Sequence, residues 1–308
     1  MSGPPVSLFG MVLGLGGLGL VWREAARRAA WLAVPADVAI AIAAIVFVIL
    51  AALYVQKAIR RPEAVAAEWN GPAHCFFAAI TMSVLLLAQA AQPHARDVAT
   101  VLFWIGAVGQ LALALAIAGR WIGGAFSLAD VTPGWFLPTF GGLLASVAGA
   151  ALGETEVAWL FFGFALVIGM PILALVLYRL CFHAALPPPL APTLVILVAP
   201  IALAFLAWQA LNGGGPDPFG RVLLYGAVSI ALIVATRIPW LAATPFGLSW
   251  WAMSFPLDAL SGAVLVYARI GGGPDLELIG LVLAAFTSLI ILYLFGRTLV
   301  FLRSQWGR

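Results

Sequence analysis

Apolar residues run through this chain in long blocks, separated by short polar or Gly/Pro-rich breaks. A block such as Val38–Val55 shows no two-residue alternation and no polar stripe at helical spacing. It is apolar all round, and ~20 such residues carry a helix across about 30 Å of hydrocarbon. Ten helices are predicted on this pattern, at residues 6–22, 36–58, 72–91, 97–118, 133–152, 155–183, 190–211, 218–238, 247–269 and 276–303. The breaks include Arg23–Arg28, Arg60-Arg61-Pro62, Gln92-Pro93, Thr132-Pro133-Gly134, Pro187-Pro188-Pro189, Asn212–Pro218 and Gly271–Pro274. None exceeds about 15 residues, so consecutive helices must pair as antiparallel hairpins. Transmembrane β-barrels are excluded, because their strands alternate over ~10 residues.

Composition sharpens the picture. Apolar residues make up 64% of the 308 and charged residues 9%, against about 25% charged in soluble domains. A single all-α transmembrane domain over residues 1–308 fills the chain, leaving no room for a soluble catalytic, nucleotide-binding or DNA-binding domain. The net charge of +3 is too small to suggest nucleic acid as a partner. The first block, Val6–Trp22, lacks the basic start and small-residue cleavage site of a signal peptide and reads as the first span. Lys57, Arg60, Arg61, Arg120, Arg179, Arg237, Arg297, Arg303 and Arg308 fall on the side of the termini, against Arg23, Arg27, Arg28, Arg96, Arg221 and Arg269 on the other. Nine against six places both termini in the cytoplasm, although the cluster at 23–28 pulls the other way.

The odd helices differ from the even ones. Helix 1 carries Gly10, Gly14, Gly16, Gly17 and Gly19; helix 5 has Pro138, Gly141 and Gly142; helix 7 has Pro192 and Pro200; helix 9 has Pro256. Proline removes a donor and frees the carbonyl four residues back, which lipid cannot satisfy. Such helices belong inside, and the smoother even helices, Pro171 apart, belong against lipid. Five inner helices in a ring leave an axial hole. The motif Gly213-Gly-Gly-Pro-Asp217 returns as Gly271-Gly-Gly-Pro-Asp275, and odd helices recur at roughly 60-residue intervals, as one hairpin used five times would produce.

Candidate chemistry is sparse. Gly14–Gly19 spells the dinucleotide pattern GxGxxG, but mid-span and without the preceding strand it requires. His74-Cys75 and Cys181-x-His183 lack a familiar metal-ligand spacing, and no cofactor is expected. Gln89 and Gln110 are expected to bond between helices. Asp258 is the acid that lies well inside a span. It faces the bundle interior, because a mid-membrane carboxylate is costly against lipid. Two roles stay open: a structural hydrogen bond to a neighbouring inner helix, or a titratable group on the transport path. Neutral, it would let anions pass; ionised, it would repel them.

Several segments, in order, resemble one family. They are Phe9-Gly-Met-Val-Leu-Gly-Leu-Gly-Gly-Leu18, Trp104-Ile-Gly-Ala-Val-Gly-Gln110, Pro133-Gly-Trp-Phe-Leu-Pro138, Leu160-Phe-Phe-Gly163, Val198-Ala-Pro200, Arg237-Ile-Pro-Trp240 and Trp250-Trp-Ala-Met-Ser-Phe-Pro256. Together they are similar to the tellurite-resistance/dicarboxylate transporter family of bacterial TehA and the plant slow anion channels. The resemblance implies five hairpins in quasi-fivefold arrangement around a pore, a homotrimer with one pore per protomer, and a helix-9 phenylalanine, here Phe255, that plugs it. Gly14, Pro138, Pro200, Pro256, Asp258 and Gly262 are the expected pore-lining or kink positions. Asp258 departs from the residue found in some members. The expected function is a small-anion channel in a bacterial inner membrane; the alternative is a proton-coupled carrier of C4-dicarboxylates or tellurite-like oxyanions.

Overall fold

A computed structural model describes residues 3–124 and 126–306; Arg308, counted above among the cytoplasmic charges, lies outside them. Ten helices are long and apolar enough to cross a membrane: α1 (Val6–Ala25), α2 (Ala30–Arg60), α3 (His74–Ala91), α4 (Arg96–Ile122), α5 (Pro133–Leu152), α6 (Thr155–Phe182), α7 (Pro188–Leu211), α8 (Pro218–Ala235), α9 (Leu248–Gly272) and α10 (Pro274–Phe301). No strand occurs among the described residues. The chain is a multi-pass membrane protein.

Burial divides the helices as proline and glycine suggest. In α1, α3, α5, α7 and α9, 61–83% of the most apolar stretch is buried, against 22–33% in the even helices. The even helices turn Val38, Ile45, Val48, Val101, Ile105, Leu289 and Leu292 outward, a surface suited to acyl chains and not to water. Each inner helix packs on the outer helix that follows it, giving five hairpins. Among the inner helices, α1 meets α3, α3 meets α5, α5 meets α7, α7 meets α9, and α9 returns to α1, a closed cycle.

All five inner helices open in tight 3-10 turns: Val6–Phe9, His74–Phe77, Pro133–Trp135, Pro188–Val198 and Leu248–Met253. Here the expected proline kinks need correcting. Pro138, Pro200 and Pro256 do not interrupt established α-helix. Each lies within the first three residues of an α segment that follows a 3-10 run, where the missing N–H disturbs least. The true interruption in α5 is Gly141-Gly142, which separates Phe136–Phe140 from Leu143–Leu152. In α6, Pro171 follows a wide π turn at Ala165–Gly169, a usual adjustment to a lost ladder bond.

Four of the breaks differ in structure from the expectation. The segment after Arg61 forms a helix, Pro62–Asn70, begun by proline with Glu63 in its first turn. Its Glu68 accepts from the Tyr54 hydroxyl (2.7 Å) and the amide of Val6 (3.3 Å) and pairs with Lys57 (2.8 Å), fastening the start of α1. The triple proline does not precede α7 but starts it, at Pro188. The two Gly-Gly-Gly-Pro-Asp motifs share position, not conformation. Gly213 and Gly214 take φ +76° and +78° with Asp217 as helix cap, whereas Gly271 and Gly273 take +157° and +82° and Asp275 sits inside the next helix.

Candidate functional site: two cavities that share Phe255

One stripe of α9 carries the candidate chemistry. Phe255, the pair Asp258 and Ala259, Gly262, Val266 and Arg269 recur every three or four residues and line one cavity, as residues on a single helical face do. The opposing stripe belongs to α1, where Gly17 stands against both key side chains. A Cβ there would lie 2.7 Å from Asp258 Oδ2 and 3.1 Å from Phe255 Cδ2, so only glycine fits without displacing them.

That cavity measures about 380 Å³ and takes walls from all five inner helices, including Gly17 of α1, Gln89 of α3, Leu144 of α5 and Leu206 of α7. A second cavity, about 50 Å³, lies towards the 3-10 openings and again touches all five, through residues such as Ser7, Phe76, Phe136, Pro200 and Trp251. No described residue of an outer helix lines either. Phe255 and Leu203 line both. Trp251, at the 3-10 opening of α9, donates from Nε1 to Thr298 Oγ1 of α10 (2.9 Å), anchoring the turn that carries Phe255.

The electrostatics change with depth. The smaller cavity is walled almost wholly by aromatic and aliphatic groups. The larger one opens onto Arg23, Glu24, Arg27 and Arg269. Glu24 accepts from Arg27 Nε (2.9 Å) and Arg269 Nε (2.5 Å), while Arg23 pairs with Asp37 (3.1 Å) and donates to the carbonyl of Ala90 (2.6 Å). Between the mouth and Phe255 stands Asp258, 1% exposed, with no hydrogen-bond partner at either carboxyl oxygen. The structural hydrogen bond that was one of its two expected roles is not made by any described residue.

The remaining expected positions divide. Pro200 and Pro256 line the smaller cavity, Asp258 and Gly262 the larger. Gly14 and Pro138 line neither. Gly14 is where α1 and α9 touch: an added Cβ would come within 2.6 Å of Ser254 Cβ and closer still to its hydroxyl. The carbonyls of Leu137 and Pro138 receive Gln110 Nε2 (3.1 and 3.5 Å), so Gln110 bonds between helices as expected. Gln89 instead lines the larger cavity. The sequence does not distinguish Gly17 or Leu203 as site residues. Nothing in five closely spaced glycines distinguishes Gly17, and one leucine among many carries no signal.

Ten apolar spans, with two cavities walled by the inner helices, define a multi-pass membrane protein. Comparison with known proteins agrees: the family profile described as "SLAC1: Voltage-dependent anion channel" matches residues 4–299. The chain belongs to this family. It is 28% identical to the "Tellurite resistance protein TehA homolog" of Haemophilus influenzae over 85% of this chain and 81% of that protein. It is 28% identical to the "S-type anion channel SLAH3" of Arabidopsis thaliana over 96% of this chain and 48% of that one. Against the "Guard cell S-type anion channel SLAC1" of the same plant, identity is 25% over 96% of this chain and 55% of the relative. The chain thus spans about half the length of these plant relatives.

Proposed function

We propose that this protein conducts small monovalent anions along the axis of its five inner helices, and that Phe255 is the plug. The observation that carries the reading is the shared wall. Phe255 is one of two side chains that line both the cavity whose mouth is set with arginines and the apolar chamber. The names of the relatives, anion channels among them, supply the class of solute. Apart from Asp258, the glutamines Gln89, Gln92 and Gln209 in the larger cavity and Ser7 in the smaller, the path beyond its charged mouth is apolar, so selectivity follows pore width and the dehydration cost of each ion. Movement of the Phe255 ring joins the chambers. Loading proteoliposomes with a halide-quenched dye tests this. Phe255→Ala admits chloride rapidly while the native chain does not, and equal rates in the two would refute the assignment.

A second reading is a proton-coupled carrier of C4-dicarboxylates or tellurite-like oxyanions, favoured by the unpaired carboxyl of Asp258. Accumulation of substrate against its gradient, only with a proton gradient imposed, would select it. The nine-to-six distribution of Lys and Arg supports cytoplasmic termini. Three protomers associate through their outer faces in this reading. Gly119 is exposed with no side chain of its own chain near it, leaving a Gly119/Gly123 seam free for a neighbour.

A further inference from the structure

Asp258 is buried and without a partner among the described residues, and it lines the larger cavity beside Phe255, both side chains lying against Gly17. The cavity's walls include Gly17, Leu144, Val147, Leu203, Leu206 and Ala259, which present no side-chain donor, and although Gln89, Gln92 and Gln209 line it too, no described residue hydrogen-bonds to Asp258. Charged groups that face the same space are Arg23 and Glu24 from α1, Arg27 from the turn after it, and Arg269 from α9 itself. Since Gly17 meets Asp258, Arg23 stands ~9 Å further out at 1.5 Å per residue, and Arg269 ~16 Å from Asp258 along α9. From the other packed elements, α7 carries no ionisable residue, α8 carries Arg221 and Tyr225, and α10 carries Asp275, Glu277, Tyr293 and Arg297. None of those lines the cavity. An ionised carboxylate here would be both unpaired and in the way of an anion. A neutral carboxylic acid has an O–H to give.

We propose that protonated Asp258 is an anion subsite: its O–H donates a hydrogen bond to a small monovalent anion held between the arginine mouth and Phe255, so that anion and proton occupy the cavity together. The assignment rests on reading this cavity as the anion route, and it makes Asp258 a recognition group rather than a structural one. Deprotonation both removes the donor and adds a like charge next to the path.

Chloride conductance of Phe255→Ala, scanned from about pH 5 to pH 9, tests the subsite alongside two further substitutions in the same background. With Asp258 intact, conductance falls at least about tenfold as pH rises, from the like-charge repulsion that appears. Asp258→Asn, whose amide still donates, conducts well and without pH dependence. Asp258→Leu, with neither donor nor charge, is also independent of pH but several-fold less conductive. A pH profile that survives in Asp258→Asn, or Asp258→Leu conducting as well as Asp258→Asn, overturns the subsite. Infrared difference spectra of the native chain provide a readout independent of the plug. A protonated-carboxyl band should be lost in Asp258→Asn and shifted by added chloride. If Phe255→Ala carried no current at any pH, the plug would be refuted while that band still decided the subsite; a band insensitive to chloride overturns it.

Discussion

Gly14→Ala sets two effects of opposite sign against each other. In a helix interior, replacing glycine by alanine is worth about 0.5–1 kcal/mol of stability, because glycine loses more backbone freedom on folding. Here the new methyl would lie 2.6 Å from Ser254 Cβ and nearer still to its hydroxyl. The hydroxyl can rotate only by giving up its bond to the Trp251 carbonyl (2.8 Å). The Ser254 Cβ is fixed to the α9 backbone and cannot, so α1 and α9 must part. Overpacking of that kind costs about 1–3 kcal/mol. The packing effect wins, and Gly14→Ala is expected to destabilise by ~1 kcal/mol or more. In a Ser254→Gly chain the obstructing atoms are gone, so the same substitution becomes neutral or stabilising. Unfolding the four proteins of this double-mutant cycle in one detergent should give a coupling of at least about 1 kcal/mol. Equal effects of Gly14→Ala in both backgrounds would refute the close approach of α1 to α9, and with it the seating of Phe255 and Asp258 against Gly17.

Gln110 is fully buried, accepts from Thr81 of α3 and donates to the Leu137 carbonyl of α5. Gln110→Leu strands those partners and should cost about 1–3 kcal/mol in thermal unfolding, whereas a loss below measurement would refute the bridge. Asp217, in the loop before α8, is raised by burial but more strongly lowered by donors from Gly220, Trp208, Phe219 and Gln209, so its carboxyl lies below the usual carboxylate range. Its stabilisation is therefore present above the unfolded value of about 3.9 and fades as pH falls through the lower folded value. Asp217→Ala should destabilise by ~1 kcal/mol at neutral pH, as loss of a helix cap does, and the difference should shrink in unfolding measured below about pH 4. Mass measurement in mild detergent should return three chains, and a stable monomer that still transports would show the trimer dispensable.

The sequence was informative where physics leaves a compositional trace. Length and apolarity of each block mark a span, and proline or glycine marks the inner helices, because broken backbone is tolerated only against protein. Phe255 came from likeness to a family motif, and Asp258 stood out as a charge where charge is costly. Other features leave no such trace. The 3-10 openings have the same hydropathy as α-helix, so Pro138, Pro200 and Pro256 read as kinks when they are junctions. Gly14 and Gly17 look alike in sequence, yet one abuts Ser254 and the other Phe255 and Asp258. The helix at Pro62–Asn70 was hidden because nine residues between two arginines and a glycine resemble any polar break.

Voltage-clamp recording of purified protein in planar bilayers addresses the central claim most directly. The native chain should be nearly silent. Phe255→Ala should carry large currents whose reversal potential follows the anion gradient and ignores the cation. An unchanged conductance in Phe255→Ala, or a current that follows the cation gradient, would contradict an anion path closed at Phe255.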